Sequence, residues 1–235
     1  MNKISLCTIV LIIPILICCS ADNLSQEETN TQSKKIQEKD IHVLSRSVNP
    51  YDTLGILQNQ VLEIYLSEDY TYTSLEDIFQ EVTLITQTVT NTTYTRGTVP
   101  LEDLLYIRDN PQSSLDTFIE NSNLSSAAQA SFSDFVTSLS LINEGDYQTL
   151  YDVITDYELF VTNNTNFTSE DKAILLSTTA LIHYSFIFLD KRKDKDWETS
   201  VGNRNISPKF QGTMYDSTTA IIMSATMELY LNINQ

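Results

Sequence analysis

Residues 173 to 189 read Ala-Ile-Leu-Leu-Ser-Thr-Thr-Ala-Leu-Ile-His-Tyr-Ser-Phe-Ile-Phe-Leu, a run without a single charged side chain, and it decides the fold. A helix that is apolar around most of its circumference belongs at the centre of a bundle, where every face meets a partner. Thr168 and Asp171 precede it at the spacing of a capping box, in which the hydroxyl and the carboxylate each bond the other residue's backbone N–H. Behind it, Asp190-Lys191-Arg192-Lys193-Asp194-Lys195-Asp196 is too charged to be buried, so the helix must end in solvent there.

The flanking segments repeat the helical spacing. Asn49-Pro50 reads as an N-cap with proline at the first helical position, and Leu54, Leu57, Val61, Ile64 and Tyr65 then recur three and four apart to about Ser67. Ser74 with Asp77 opens a second helix on Leu75, Ile78, Phe79, Val82 and Ile85, which frays near Asn91. Pro100 and Pro111 open short helices, the latter carrying Leu115, Phe118 and Ile119. Ser125 or Ser126 starts a longer one on Ala128, Phe132, Phe135, Val136, Leu139 and Ile142, closed by Gly145. Asp146 caps the next, with Leu150, Val153, Ile154, Tyr157 and Phe160 expected inward.

A long irregular connection over Asp196 to Phe210 holds the lone tryptophan, Trp197. A last helix, about Thr213 to Asn232, presents Ala220, Ser224 and Ala225 for close packing on the central helix. Glycine and proline number five each, too few for an all-β chain with many tight turns. The Thr-Val run from Thr86 to Thr95 is the one stretch that could form a strand. The expected fold is therefore all-α, an irregular bundle of about seven helices around a central apolar helix.

Upstream of the bundle the chain changes character twice. Residues 20 to 48 are largely Asn, Gln, Glu, Lys and Ser, too polar to offset the entropy of ordering, and read as a disordered tether. Residues 1 to 19 read differently: Lys3 is a short positive region, Ile4 to Ile17 is nearly unbroken hydrocarbon, and the run closes on Leu16-Ile17-Cys18-Cys19 before Ser20. That ending resembles a bacterial lipoprotein signal, with Leu16 and Ile17 at the aliphatic positions of the lipobox, Cys18 where a small residue is usual, and Cys19 as the lipidated cysteine.

The resemblance implies a signal peptide over 1–18, a lipidated cysteine and flexible tether over 19–48, and a helical domain over 49–235. It also implies attachment to the bacterial outer membrane through the N-terminal lipid, facing the periplasm or the cell surface. Acyl chains contribute about 0.8 kcal/mol per buried methylene, enough in combination for permanent anchoring. An ordinary secretory signal and an uncleaved anchor are the alternatives. Pro14 and a length near the lower limit for crossing a bilayer of ~30 Å count against the anchor. Six Asn-x-Ser/Thr triplets, at Asn23, Asn91, Asn123, Asn163, Asn166 and Asn205, would suit a glycosylated secreted protein but arise easily in so polar a chain.

A second resemblance starts the domain. Asn49-Pro50-Tyr51-Asp52-Thr53-Leu54-Gly55, followed by Gln58-Asn59, is similar to the opening of uncharacterised helical Bacteroidetes lipoproteins, in which a His-Asn pair often follows the glycine; Gln58 stands in that histidine's place.

Charge narrows the function further. Loss of residues 1 to 18 removes Lys3 alone among charged side chains and leaves 13 basic and 31 acidic residues, a net charge of −18. Nucleic acid and anionic lipid are therefore poor partners for the domain, since phosphate binding needs a basic footprint. With Cys19 acylated, no thiol remains for a disulfide, a metal or catalysis.

His42 lies in the tether, and His183, between Ile182 and Tyr184 of the central run, reads as a core histidine. Asp194, Asp196, Glu198 and Ser200 alternate as in a calcium loop and are weak metal candidates. Thr199 and Asn205 occupy positions where such a loop needs glycine and glutamate, and Lys191, Lys193 and Lys195 repel a cation. The tyrosine-rich stretch Glu68 to Tyr72 could stack a sugar but reads first as a plain loop. No nucleophile motif, phosphate loop or cofactor fingerprint is present. The expected function is a non-enzymatic binding or interaction module without cofactor, its protein or glycan ligand open. A carboxylate-based hydrolase acting on envelope or extracellular glycans is the rival.

Overall fold

The computed structural model describes residues 49–68, 70–92, 101–111, 113–142, 146–193 and 206–234, with side chains of 190–193 excepted. All of them fall in one compact unit, Val43–Gln235. The expected signal peptide, Cys19, the tether with His42, Pro100, Gly145, Trp197, and the metal candidates Asp194, Asp196 and Glu198 lie outside the described residues.

The fold is all-α. Among the described residues there are nine helices: α1 (Asp52–Ser67), α2 (Leu75–Thr90), α3 (Leu101–Asp109), α4 (Ser114–Glu120), α5 (Ser126–Ser140), α6 (Tyr147–Asn163), α7 (Ser169–Lys193), α8 (Ser207–Thr213) and α9 (Ser217–Ile233). The central run is α7, buried without interruption from Ile174 through His183. By length and composition its Ser169–Leu189 portion could cross a membrane, but most of it is covered by other helices, as a core helix requires. Helices α1, α6 and α8 pack on it.

Where the apolar stripe is regular, the expected faces hold. On α2, Leu75, Ile78, Val82 and Ile85 are all buried. The Thr-Val run continues that helix to Thr90, and the hydroxyls of Thr86, Thr88 and Thr90, like that of Thr83 before it, are satisfied by the carbonyl four residues back. Asn91, in the left-handed region at φ 51°, ends it. Ser125, Asp146 and Ser74 cap their helices as expected.

Several expectations need correction. Asn49 is not the N-cap of α1: the helix begins at Asp52 and Asn49 makes an Asx turn, its Oδ1 accepting from Tyr51 N at 2.9 Å. On the same helix Ile64 turns outward, while Gln58 and Leu62 take buried positions. Helix α4 starts at Ser114, after Pro111 has made a turn, and α5 stops at Ser140, well short of Gly145.

The irregular connection ends sooner than expected, because Ser207–Thr213 is a helix with Pro208 in its first turn. The final helix accordingly starts afresh at Ser217, capped by Asp216. It packs chiefly on α8, α2 and α1 and only lightly on α7. The small residue used for close approach is Ala220, whose Cα would lie 2.5 Å from a Cβ placed on Gly212 of α8.

Candidate functional site

The residues of the opening motif converge on α7. Asn49, 3% exposed, donates its amide to Glu158 Oε1 and to the carbonyl of Leu176, both at 2.8 Å, and lies 3.3 Å from Thr179 Oγ1. Gly55 lets the helices touch: a Cβ there would stand 2.6 Å from Tyr184 Cβ. Asn59 donates to the carbonyl of Tyr184 at 3.1 Å. Together these residues dock α1 on the central helix.

Gln58, in the place of the resemblance's histidine, enters a buried polar cluster built by four helices. Its Nε2 donates to Ser185 Oγ at 2.9 Å and to Glu228 Oε2 at 3.2 Å, and Ser185 Oγ donates to the same carboxylate oxygen at 2.8 Å. Lys209 Nζ lies 3.6 Å from it. Burial pushes the Lys209 ammonium below its ordinary range, and the Glu228 carboxylate beside it opposes that push.

One oxygen of Glu228 thus accepts two hydrogen bonds and faces the Lys209 ammonium, while its Oε1 and the Oε1 of Gln58 are buried without a hydrogen bond. The serine proton is committed to a carboxylate, and all four side chains are at most 9% exposed. That makes the cluster a buried tie between α1, α7, α8 and α9. Sequence reasoning missed it, although Gln58 and Glu228 each interrupt an apolar register, the signal by which a buried polar residue can be found.

The other sequence candidates among the described residues are His183 and the tyrosine stretch. His183 is buried, its ring 5.2 Å from Tyr151 and 5.4 Å from Tyr184. The tyrosine stretch forms a ladder, with Tyr70 5.0 Å from Tyr65 and stacked 5.6 Å from Tyr72. Tyr70 donates its hydroxyl to Glu81 at 2.8 Å, which with burial raises its pKa to about 12. Among the described residues no three His, Cys, Asp or Glu stand together as a metal site.

Among the described residues, an exposed apolar feature lies on α6. Phe160, expected inward, is 49% exposed. At about 100° per residue it sits a quarter-turn from the stripe of Leu150, Ile154, Glu158 and Val161 that is actually buried. With Leu159, 47% exposed, and Asp156, Asn163 and Asn164, it lines an open groove of about 440 Å³.

The Phe160 ring is braced from within. Phe210 stacks on Phe132 at 4.9 Å, Phe132 meets Phe135 at 6.0 Å, Phe135 stacks on Tyr157 at 4.1 Å, and Tyr157 meets Phe160 at 6.2 Å. Phe167 closes the edge at 5.8 Å and 85°. An aromatic file therefore runs from the core to this one exposed ring and limits its freedom before any ligand arrives.

Three carboxyls elsewhere move in one direction. Hydrogen bonds from Arg108 and from Thr149 lower Asp109 and Asp146 respectively. Burial raises Asp171, but the backbone and hydroxyl groups of Ser125 and Thr168 outweigh it and hold that carboxyl below the usual range. These are caps and ties, the reverse of the raised pKa an acid catalyst needs.

Comparisons with protein-family models, curated proteins and solved structures find no match to this chain.

Proposed function

We propose that the chain is a lipid-anchored envelope protein, attached to the bacterial outer membrane through Cys19, whose helical body is a non-enzymatic binding module. The observation that carries the binding role is the α6 groove, where Phe160 and Leu159 face solvent on a braced aromatic base. Side by side at the surface, an aromatic ring and an aliphatic chain offer a partner adjoining apolar area. The anchor rests on the run from Lys3 to Cys19, and its resemblance to helical Bacteroidetes lipoproteins on the segment from Asn49 to Asn59.

Metabolic labelling with a palmitate analogue, comparing the native chain with Cys19→Ala, tests the anchor, and protease added to intact cells tests the face. Label that depends on Cys19, with the body shaved from whole cells, is expected for a surface lipoprotein. Label with a protected body moves the module to the periplasm. Absence of label from the native chain defeats the anchor.

A further inference from the structure

We infer that the α6 groove takes a short segment of a partner protein in which lysine or arginine side chains are interspersed with apolar ones. This rests on the reading of the body as a binding module and adds the partner's chemistry.

Charge complementarity selects the occupant. Between Arg108 and Lys172 the sequence holds eleven aspartates and glutamates and no lysine, arginine or histidine. That stretch forms α4, α5 and α6, three helices that carry acids and no basic side chain. On α6, Asp152, Asp156 and Phe160 follow one another at intervals of four, and all three are exposed. Residues four apart share a helix face, so two carboxylates lead up to one aromatic ring.

The groove's lower end is the C-terminus of α6, the negative pole of the helix dipole. Lys172 stands at that end, Nζ donating to the carbonyl of Thr162 at 2.8 Å, and keeps its charge there. Asp134 of α5 adds its charge close to Tyr157, the ring beneath Phe160.

Each part of the proposed segment has a counterpart. A guanidinium or ammonium over the Phe160 face gains cation–π attraction of about 0.5–1 kcal/mol at an exposed site. A second cation pairs with Asp156 or Asp152, and an apolar side chain covers Leu159. A neutral apolar segment would strip water from Asp156 without replacing its hydrogen bonds, which costs free energy. An acidic or phosphorylated ligand would meet repulsion across the whole face. The groove's size lies within the range of roughly 300–1,000 Å³ usual for ligand sites.

Fluorescence anisotropy of labelled heptapeptides against the full chain in neutral detergent tests this, with one peptide alternating lysine and leucine, one serine and leucine, one glutamate and leucine. Expected is binding of the lysine peptide that weakens as salt rises. Phe160→Ala, or Asp152→Asn combined with Asp156→Asn, should weaken it about tenfold. Asp116→Asn, which removes an exposed acid of α4, should leave it within about twofold.

Equal binding by the groove variants, or none of the lysine peptide, overturns the inference. If the serine peptide alone binds and needs Phe160, the cationic assignment falls while the binding module stands. Self-association that depends on Phe160 replaces the partner by a second copy and also overturns it. If no peptide binds and the chain does not self-associate, the inference and the groove's role in the proposed function fall together.

Discussion

Replacing Gly55 by alanine tests how α1 is seated on α7. The added Cβ would lie 2.5 Å from Tyr184 Cγ, 2.6 Å from its Cβ, and closer still to Cδ2. Carbon atoms rest about 3.5–4.0 Å apart, so something must yield by about 1 Å. Rotation of the ring cannot relieve the contact, because Tyr184 Cβ is fixed by its own backbone. The helices must therefore part where Asn59 and Gln58 hydrogen-bond to Tyr184 and Ser185.

Overpacking costs roughly 1–3 kcal/mol. Two loosened hydrogen bonds add about 1 kcal/mol each at most, and the better helix propensity of alanine returns about 1 kcal/mol. At the middle of these ranges the expected net loss is about 2 kcal/mol, which in a domain of this size lowers Tm by roughly 4–8 °C. Urea unfolding of the single variants and of the doubles with Tyr184→Ala and Tyr184→Gly provides the assay. Tyr184→Ala keeps the offending Cβ and should rescue little, whereas Tyr184→Gly removes it and should show a coupling above about 1 kcal/mol. A Gly55→Ala variant as stable as the parent, or equal rescue by both partners, would refute the close-approach reasoning.

Two further outcomes are expected. Asp171 accepts from Ser125 N at 2.8 Å, Ser125 Oγ at 2.9 Å and Thr168 N at 2.9 Å, tying the starts of α5 and α7. Asp171→Asn should therefore cost about 2 kcal/mol at neutral pH. Because the folded carboxyl is held below its unfolded value, its stabilisation is present above the unfolded pKa and lost as pH falls through the folded one. The gap between native and variant urea midpoints should close on acidification, and a gap constant from pH 7 to about 2.5 contradicts the ionic tie.

In the buried cluster, Glu228→Gln or Lys209→Met alone should destabilise by about 3 kcal/mol, since each removes one charge of a buried pair. The double variant should be more stable than the sum of the singles implies. Strict additivity in a urea double-mutant cycle would show that the pair does not act as a unit.

How much was legible depends on how much each signal is local. The charge-free run from Ala173 to Leu189 announces a core helix, and the pairs Ser74 with Asp77 and Thr168 with Asp171 announce helix starts, because a cap joins residues three apart in the chain. The stripe of α2 is readable for the same reason. At Phe160 the pattern misleads: the ring fits either edge of the apolar stripe, and only the neighbouring helices decide which edge is covered. Ser207–Thr213 escaped notice because a seven-residue helix has too few turns to show a period.

The amino-acid sequence by itself determined the helical class, the starts of α2, α5, α6 and α7, the central place of α7 and the acidity of the chain. These depend on spacing, hydrogen-bonding capacity and charge, which travel with the chain. Tertiary structure decided that Asn49 reaches Glu158 and Leu176, that Gln58, Ser185, Lys209 and Glu228 share one carboxylate oxygen, and that Gly55 is the floor for Tyr184. It also left Phe160 at the surface above its aromatic file. Such contacts join residues more than a hundred positions apart, or depend on which helix covers which face. Their energies come from packing and desolvation that exist only once the helices have met.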